Sequence, residues 1–88
     1  MFTVSWKRSA LNELATLWTQ AGSAWRRAIT AATNRIDQEL RQEPESKGES
    51  RGGDERIYFV FPLGIRFELD RSLTIVRVLH VWSYRRKG

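Results

Sequence analysis

The segment from Arg77 to Gly88, RVLHVWSYRRKG, places side chains that can act on a phosphate within a strand-like apolar run. His80 is the single histidine of the sequence, and histidine is the side chain that ordinarily exchanges a proton near neutral pH. Tyr84 can either stack on a nucleobase or donate a proton. A lone histidine in an apolar strand also commonly has a structural role, so both interpretations of His80 stay open.

Three basic residues follow this run: Arg85, Arg86 and Lys87. The net charge of +5 comes from this end of the chain, because residues 1–70 carry ten basic and ten acidic residues, whereas residues 71–88 carry five basic residues and no acid. Such a concentration of charge favours a nucleic acid or an acidic partner through electrostatic steering and counterion release. A solvated tail that maintains solubility is the alternative.

Composition excludes several classes of protein. The sequence contains no cysteine, which rules out a disulfide framework, and with one histidine it argues against a zinc site. We therefore expect no metal and no cofactor. No apolar run approaches the roughly 18 residues of a membrane span, so we expect a cytoplasmic protein without membrane contact. The length of 88 residues predicts one domain over residues 1–88.

Hydrophobic periodicity predicts one strand and then two helices in the N-terminal half. Phe2, Val4 and Trp6 alternate with polar residues, as in a half-buried strand. A helix that begins at Ser9 and ends at Gly22 follows. Its apolar stripe contains Leu11, Leu14, Ala15 and Trp18, and the stripe of a second helix that begins at Ser23 contains Trp25, Ile29, Ala32, Ile36 and Leu40. The short link predicts an antiparallel helical hairpin in which Trp18 belongs to the core.

The C-terminal half reads as a three-stranded antiparallel meander after a polar loop at Glu43–Glu55. The strands are RIYFVF, IRFEL and the segment from Leu73 to about Trp82, and Phe61–Gly64 suits a type I turn. The fold class is therefore α+β, with one sheet that includes the N-terminal strand and that two helices cover on one face. The other face of the sheet is left open.

A binding site follows from the register that we predict for the last two strands. If Leu69 pairs with Thr74, then Arg66 lies opposite Arg77 on the open face, where the two guanidinium groups would share a phosphate. Neutralisation of one arginine by Glu68 is the alternative. In this register His80 points toward the helices.

The order of these elements, the GESR segment at Gly48–Arg51 and the run RIYFVFPLGIRFELDRSLTIVRVLHVWSYRR resemble the RelE/ParE superfamily, the toxins of type II toxin-antitoxin systems. The resemblance covers almost the whole chain. It implies a small basic toxin that a cognate antitoxin neutralises, as in plasmid stabilisation modules. It further implies a ribosome-dependent mRNA endoribonuclease that inhibits translation without a metal. A poison of DNA gyrase, or an inactivated toxin that keeps only antitoxin or RNA binding, is the alternative.

The resemblance adds Arg85, after the last strand, and Arg56, on the second strand, to the residues that the sequence pattern singles out. The catalytic candidates are Arg66, Arg77, His80, Tyr84 and Arg85, and the nucleic-acid-binding candidates are Arg56, Arg86 and Lys87. Two departures from the nuclease pattern stand out. Gly64 occupies the position of an arginine that precedes the third strand's motif in those nucleases, with Arg66 as the nearest substitute. Tyr84 is the counterpart available here for their terminal tyrosine.

Overall fold

A mixed five-stranded sheet organises residues 1–85, which are the residues that the computed structural model describes. In chain order the elements are β1 (Thr3–Trp6), α1 (Arg8–Gln20), α2 (Ser23–Gln42), a 3-10 turn (Pro44–Ser46), β2 (Glu49–Ser50), β3 (Glu55–Val60), β4 (Leu63–Asp70) and β5 (Ile75–Ser83). The strand order is β1-β5-β4-β3-β2, and β1 runs parallel to β5 while the other pairs are antiparallel. The predicted α+β architecture is confirmed.

The core lies between α2 and one face of the sheet. The predicted stripe on α2 is buried at four of its positions, Ile29, Ala32, Ile36 and Leu40. These side chains pack against the alternate residues of the strands, Ile65, Phe67, Val76 and Val78 among them. The pattern follows from geometry, because a 3.6-residue stripe on the helix meets every second residue of a strand.

Helix α1 packs differently from the prediction. Within α1 only Ala10 is fully buried, and the side chain of Trp18 is 44% exposed, so its assignment to the core was wrong. The reason is that α1 lies along the edge of β5. The Lys7 backbone N–H donates to the Val78 carbonyl, and the Ser9 hydroxyl donates to the Leu79 carbonyl at 2.7 Å. Helix α1 therefore covers unpaired backbone groups at a strand edge as well as apolar surface.

The predicted register of β4 and β5 was wrong by two residues. Leu69 pairs with Val76 rather than Thr74, because the turn takes up four residues, from Arg71 to Thr74. Thr74 adopts a left-handed conformation with φ 52, and the Asp70 carboxylate accepts a hydrogen bond from the Leu73 N–H at 3.1 Å. A shift of two residues keeps each side chain on its face and changes the residue across from it.

The polar segment between α2 and β3 is more ordered than the predicted loop. It contains β2, whose Glu49 and Ser50 pair with Ile57 and Arg56 of β3. The turn after β3 also differs from the predicted type I turn, since the Phe61–Pro62 peptide bond is cis.

Neither helix within residues 1–85 has both the length and the apolar character of a membrane span.

Gly48, which introduces β2, has φ +73, and a Cβ atom there would collide with the Ile57 carbonyl oxygen and lie 3.2 Å from the Tyr58 Cβ. We expect Gly48→Ala to lower the free energy of unfolding by about 1–3 kcal/mol, as measured by urea denaturation. Gly53→Ala is the matched control, because Gly53 has φ +55 but nothing within 4 Å of the added atom. Equal losses in the two variants would contradict the steric argument for Gly48.

Candidate functional site

The sheet face opposite α2, here called the open face, carries most of the candidate residues. It is formed by Glu55, Ile57 and Phe59 of β3, by Gly64, Arg66, Glu68 and Asp70 of β4, and by Arg77, His80 and Trp82 of β5. Helix α2 packs on the opposite face, and apart from the buried Gly64 these residues are at least partly exposed.

His80 reaches the open face because β5 contains a bulge. The pairing changes from Phe67 opposite Val78 to Arg66 opposite His80, which leaves Leu79 as the extra residue. An extra residue reverses the alternation of the strand, so that Val81 is buried and the His80 side chain is 52% exposed. The prediction that His80 points toward the helices was therefore wrong.

Arg66 is the cross-strand neighbour of His80, so the structure brings two of the predicted site residues together. The Arg66 Nε lies 3.5 Å from the Glu55 Oε1, and both side chains are 42% exposed. An ion pair at such exposure contributes about 0–1 kcal/mol. This arginine can therefore exchange its carboxylate partner for a phosphate at small cost.

Arg77 does not lie beside Arg66, and the predicted phosphate site between the two arginines was wrong. Arg77 faces Glu68 across the strands, and its Nη1 lies 3.5 Å from Glu68 Oε1 and 3.3 Å from Asp70 Oδ2. The alternative in which Glu68 neutralises an arginine is confirmed. Two carboxylates hold this guanidinium at the end of the open face that is remote from His80.

An aromatic cluster occupies the other end of the open face. The ring centroid of Phe59 lies 6.1 Å from that of Trp82 and 5.4 Å from that of Tyr84, in edge-to-face geometry. Phe59 is 52% exposed. The indole of Trp82 lies on Gly64, where an added Cβ atom would stand 2.5 Å from the indole Cε2. Glycine thus makes room for an aromatic ring on the strand surface.

Sequence reasoning did not identify Phe59, although the alternation of side chains along β3 could have placed it on the open face. Gly64, where the nuclease pattern has an arginine, instead supports Trp82. The rings offer π-faces and edges on which nucleobases can stack.

The aromatic contacts continue around the end of the sheet to α2. Phe61 contacts both Tyr84 and Trp25, with centroid distances of 5.6 and 5.8 Å. The guanidinium carbon of Arg85 lies 5.5 Å from the Trp25 ring centroid. Arg85 is therefore placed at the N-terminal end of α2 and away from His80.

Arg56 is not on the open face. Arg56 pairs with Phe67 and shares its helix-facing side, where its Nη1 donates to the Lys47 carbonyl at 3.4 Å. Arg86 and Lys87 lie outside the described residues. Within residues 1–85 no group of three or more His, Asp or Glu side chains is placed to hold a metal ion.

Comparisons with known proteins identify the fold. No family model matches the sequence, and no curated protein matches it. Among solved structures, a chain of the toxin-antitoxin complex RelBE2 from Mycobacterium tuberculosis superposes with a TM-score of 0.73 at 20% identity, and the match covers 94% of this chain and 91% of that one.

Two further structures give the same result. A chain of the chromosomal ParDE toxin-antitoxin system from P. aeruginosa matches with a TM-score of 0.73 at 15% identity, covering 97% of this chain and 98% of that one. The isolated E. coli RelE toxin matches with a TM-score of 0.65 at 16% identity, covering 100% of this chain and 89% of that one. The resemblance in fold to the RelE and ParE proteins is confirmed.

Asp70, at the charged end of the open face, supports a prediction about pH. Hydrogen bonds from the Ser72 hydroxyl and the Leu73 N–H, together with Arg77, hold the pKa of this carboxyl below its ordinary value. Ionised Asp70 therefore stabilises the fold above about pH 4, and this stabilisation is lost as the pH falls through the lowered folded-state pKa.

We expect the wild-type free energy of unfolding to fall more steeply below about pH 4 than that of Asp70→Asn. Urea denaturation at a series of pH values measures both slopes. Ser72→Ala, which removes the largest cause of the lowered pKa, is expected to give an intermediate slope. Identical slopes in wild type and Asp70→Asn would contradict this role of Asp70.

Proposed function

We propose that this protein, which has the fold of the RelE and ParE toxins, is the toxin of a type II toxin-antitoxin module. The support is a match over nearly the full length of both chains to proteins of the RelBE2 and ParDE toxin-antitoxin systems and to the RelE toxin. A cognate antitoxin is the corresponding partner. The open face, with exposed Phe59 beside charged groups, is the kind of surface that needs a cover in the resting cell.

We further propose that the toxin is a ribosome-dependent mRNA endoribonuclease. The observation that carries this proposal is the pairing of Arg66 with His80 on the open face, next to the rings of Phe59, Trp82 and Tyr84. Aromatic rings bind single-stranded bases, an arginine binds phosphate, and a histidine moves a proton. These three components are what cleavage of an RNA backbone requires from a protein.

In the proposed reaction, the 2′-hydroxyl of the substrate loses its proton to the His80 imidazole. The 2′-oxygen then bonds to the adjacent phosphorus while the bond from phosphorus to the 5′-oxygen breaks, and the departing oxygen takes a proton from water. Arg66, released from Glu55, stabilises the negative charge that builds on the phosphoryl oxygens. The products are a 2′,3′-cyclic phosphate and a free 5′-hydroxyl.

The other candidates receive supporting roles. Tyr84 follows His80 by four residues, which is about 13 Å of extended chain at 3.3 Å per residue. That spacing is wide for a base and an acid that act on one phosphate, so we assign Tyr84 to stacking. We assign Arg85, Arg86 and Lys87 to electrostatic attraction of the ribosome. The two carboxylates around Arg77 assign this residue to the stability of the sheet.

A gyrase poison is the second candidate, and one observation favours it. Both arginines of the open face have carboxylate partners, Glu55 for Arg66 and Glu68 with Asp70 for Arg77, so the face carries little uncompensated positive charge. Trp82 also covers the position at which the nuclease pattern has an arginine. An aromatic surface with little net charge suits contact with a protein target.

Expression of the protein alone is expected to stop cell growth, and co-expression of the antitoxin encoded beside it is expected to restore growth. The purified protein should cut mRNA in a translation extract, as mapped by primer extension, and should leave DNA supercoiling by gyrase unchanged. Healthy growth with abundant folded protein would contradict the toxin proposal. Inhibition of supercoiling without cleavage would replace the nuclease with the gyrase poison.

Arg66→Ala is expected to reduce mRNA cleavage on the order of 10²-fold, because it removes the cation beside the reacting phosphate. Its melting temperature should change little, since the exposed pair with Glu55 contributes about 0–1 kcal/mol. Arg27→Ala is the matched control, because it removes the same charge from an exposed position on α2. Equal losses of cleavage in both variants would assign the effect to net charge.

A further inference from the structure

The carboxylate of Glu13, on α1, contacts two groups of β5 at once. Its Oε1 accepts a hydrogen bond from the Val81 backbone N–H at 3.1 Å. The His80 Nδ1 lies 3.3 Å from Oε1 and 3.4 Å from Oε2 of the same carboxylate. One side chain therefore joins the helix to the strand edge and to the imidazole.

The topology explains why a carboxylate is found there. Strand β1 ends at Trp6, opposite Val78, whereas β5 continues to Ser83. Within residues 1–85 no strand lies beside the outer edge of β5 beyond Val78, so the backbone groups there need other partners. Helix α1 supplies them, since Ser9 donates to the Leu79 carbonyl and Glu13 accepts from the Val81 N–H.

The bulge at Leu79 also brings the His80 imidazole to the carboxylate of Glu13. It turns His80 onto the open face while the next residue, Val81, stays buried with its N–H at the edge. Glu13 can therefore reach the imidazole of one residue and the backbone of the next. Without the extra residue, His80 would point into the core and away from this carboxylate.

We propose that Glu13 is a positioning residue for His80 in RNA cleavage, an inference that rests on the proposed nuclease function. A carboxylate beside Nδ1 holds the ring proton on that nitrogen. The unprotonated Nε2 is then directed away from α1, toward the open face, where it accepts the proton of the 2′-hydroxyl. A carboxylate also stabilises the imidazolium that this transfer creates.

Among residues 1–85, charged side chains of two elements face His80. Helix α1 contributes Glu13, and β4 contributes Arg66, whose guanidinium is paired with Glu55. The role of Glu13 can be separated from that of Arg66, because Glu13 contacts a specific ring nitrogen. That contact determines the tautomer of the neutral ring, which can be measured in the free protein without any substrate.

The test compares Glu13→Gln, Glu13→Ala and Ser9→Ala with wild type. Glutamine keeps one oxygen that can accept from both Nδ1–H and the Val81 N–H, whereas alanine removes both contacts. Ser9→Ala is the matched structural control, because it removes another hydrogen bond between α1 and β5 without touching His80. The ¹⁵N chemical shifts of His80, recorded where the ring is neutral, report the tautomer, and single-turnover cleavage on ribosomes gives the rate.

We expect the Nδ1–H tautomer in wild type, in Glu13→Gln and in Ser9→Ala, and its loss in Glu13→Ala. The cleavage rate should fall on the order of 10²-fold in Glu13→Ala with KM unchanged, and glutamine should restore most of it. An Nε2–H tautomer in wild type, or an unchanged rate in Glu13→Ala, would overturn the proposal. Wild-type protein with the expected tautomer but no cleavage would instead overturn the nuclease function, and with it this role.

Discussion

The pairing of β4 with β5 determines what the open face can do. Both strands are central in the sheet, and their hydrophobic residues on the other face, such as Phe67 and Val78, are fully buried against α2. That burial holds the register, because a slip by one residue would turn the apolar side chains of a strand toward water. Burial therefore fixes which side chains lie on the open face, and the length of the turn together with the bulge at Leu79 fixes which of them lie across from each other.

Two chemically different ends result from this pairing. At the turn, opposite charges face each other, Arg77 against Glu68, and the sheet gains stability there. Toward the other end the bulge at Leu79 brings His80 beside Arg66, and Gly64 accommodates the ring of Trp82. The described residues therefore collect an exposed imidazole, a loosely paired guanidinium and aromatic rings at one end of the face, and an ion-pair network at the other.

Helix α1 links this face to the rest of the molecule. The helix buries Ala10 and packs Leu14 and Leu17 against the core, and its polar side chains Ser9 and Glu13 satisfy the unpaired edge of β5. An edge covered in this way protects the sheet from pairing with another chain. It also brings Glu13 to His80, so an arrangement required by backbone hydrogen bonding places a carboxylate next to the imidazole.

Local patterns were sufficient to predict the elements and their class, because helical and strand periodicity depend on near neighbours, as the buried stripe from Ile29 to Leu40 illustrates. The concentration of positive charge after Asp70 followed from residue types alone, and His80 and Arg66 followed as candidate site residues from residue types and strand alternation. The contact partners of those residues could not be predicted in this way. Whether Arg66 faces Arg77 or His80 depends on the length of one turn and on one bulge. The position of Trp18 depends on an edge created by the parallel pairing of β1 with β5. These are contacts between residues far apart in the chain, and their energies are realised only when the core has assembled.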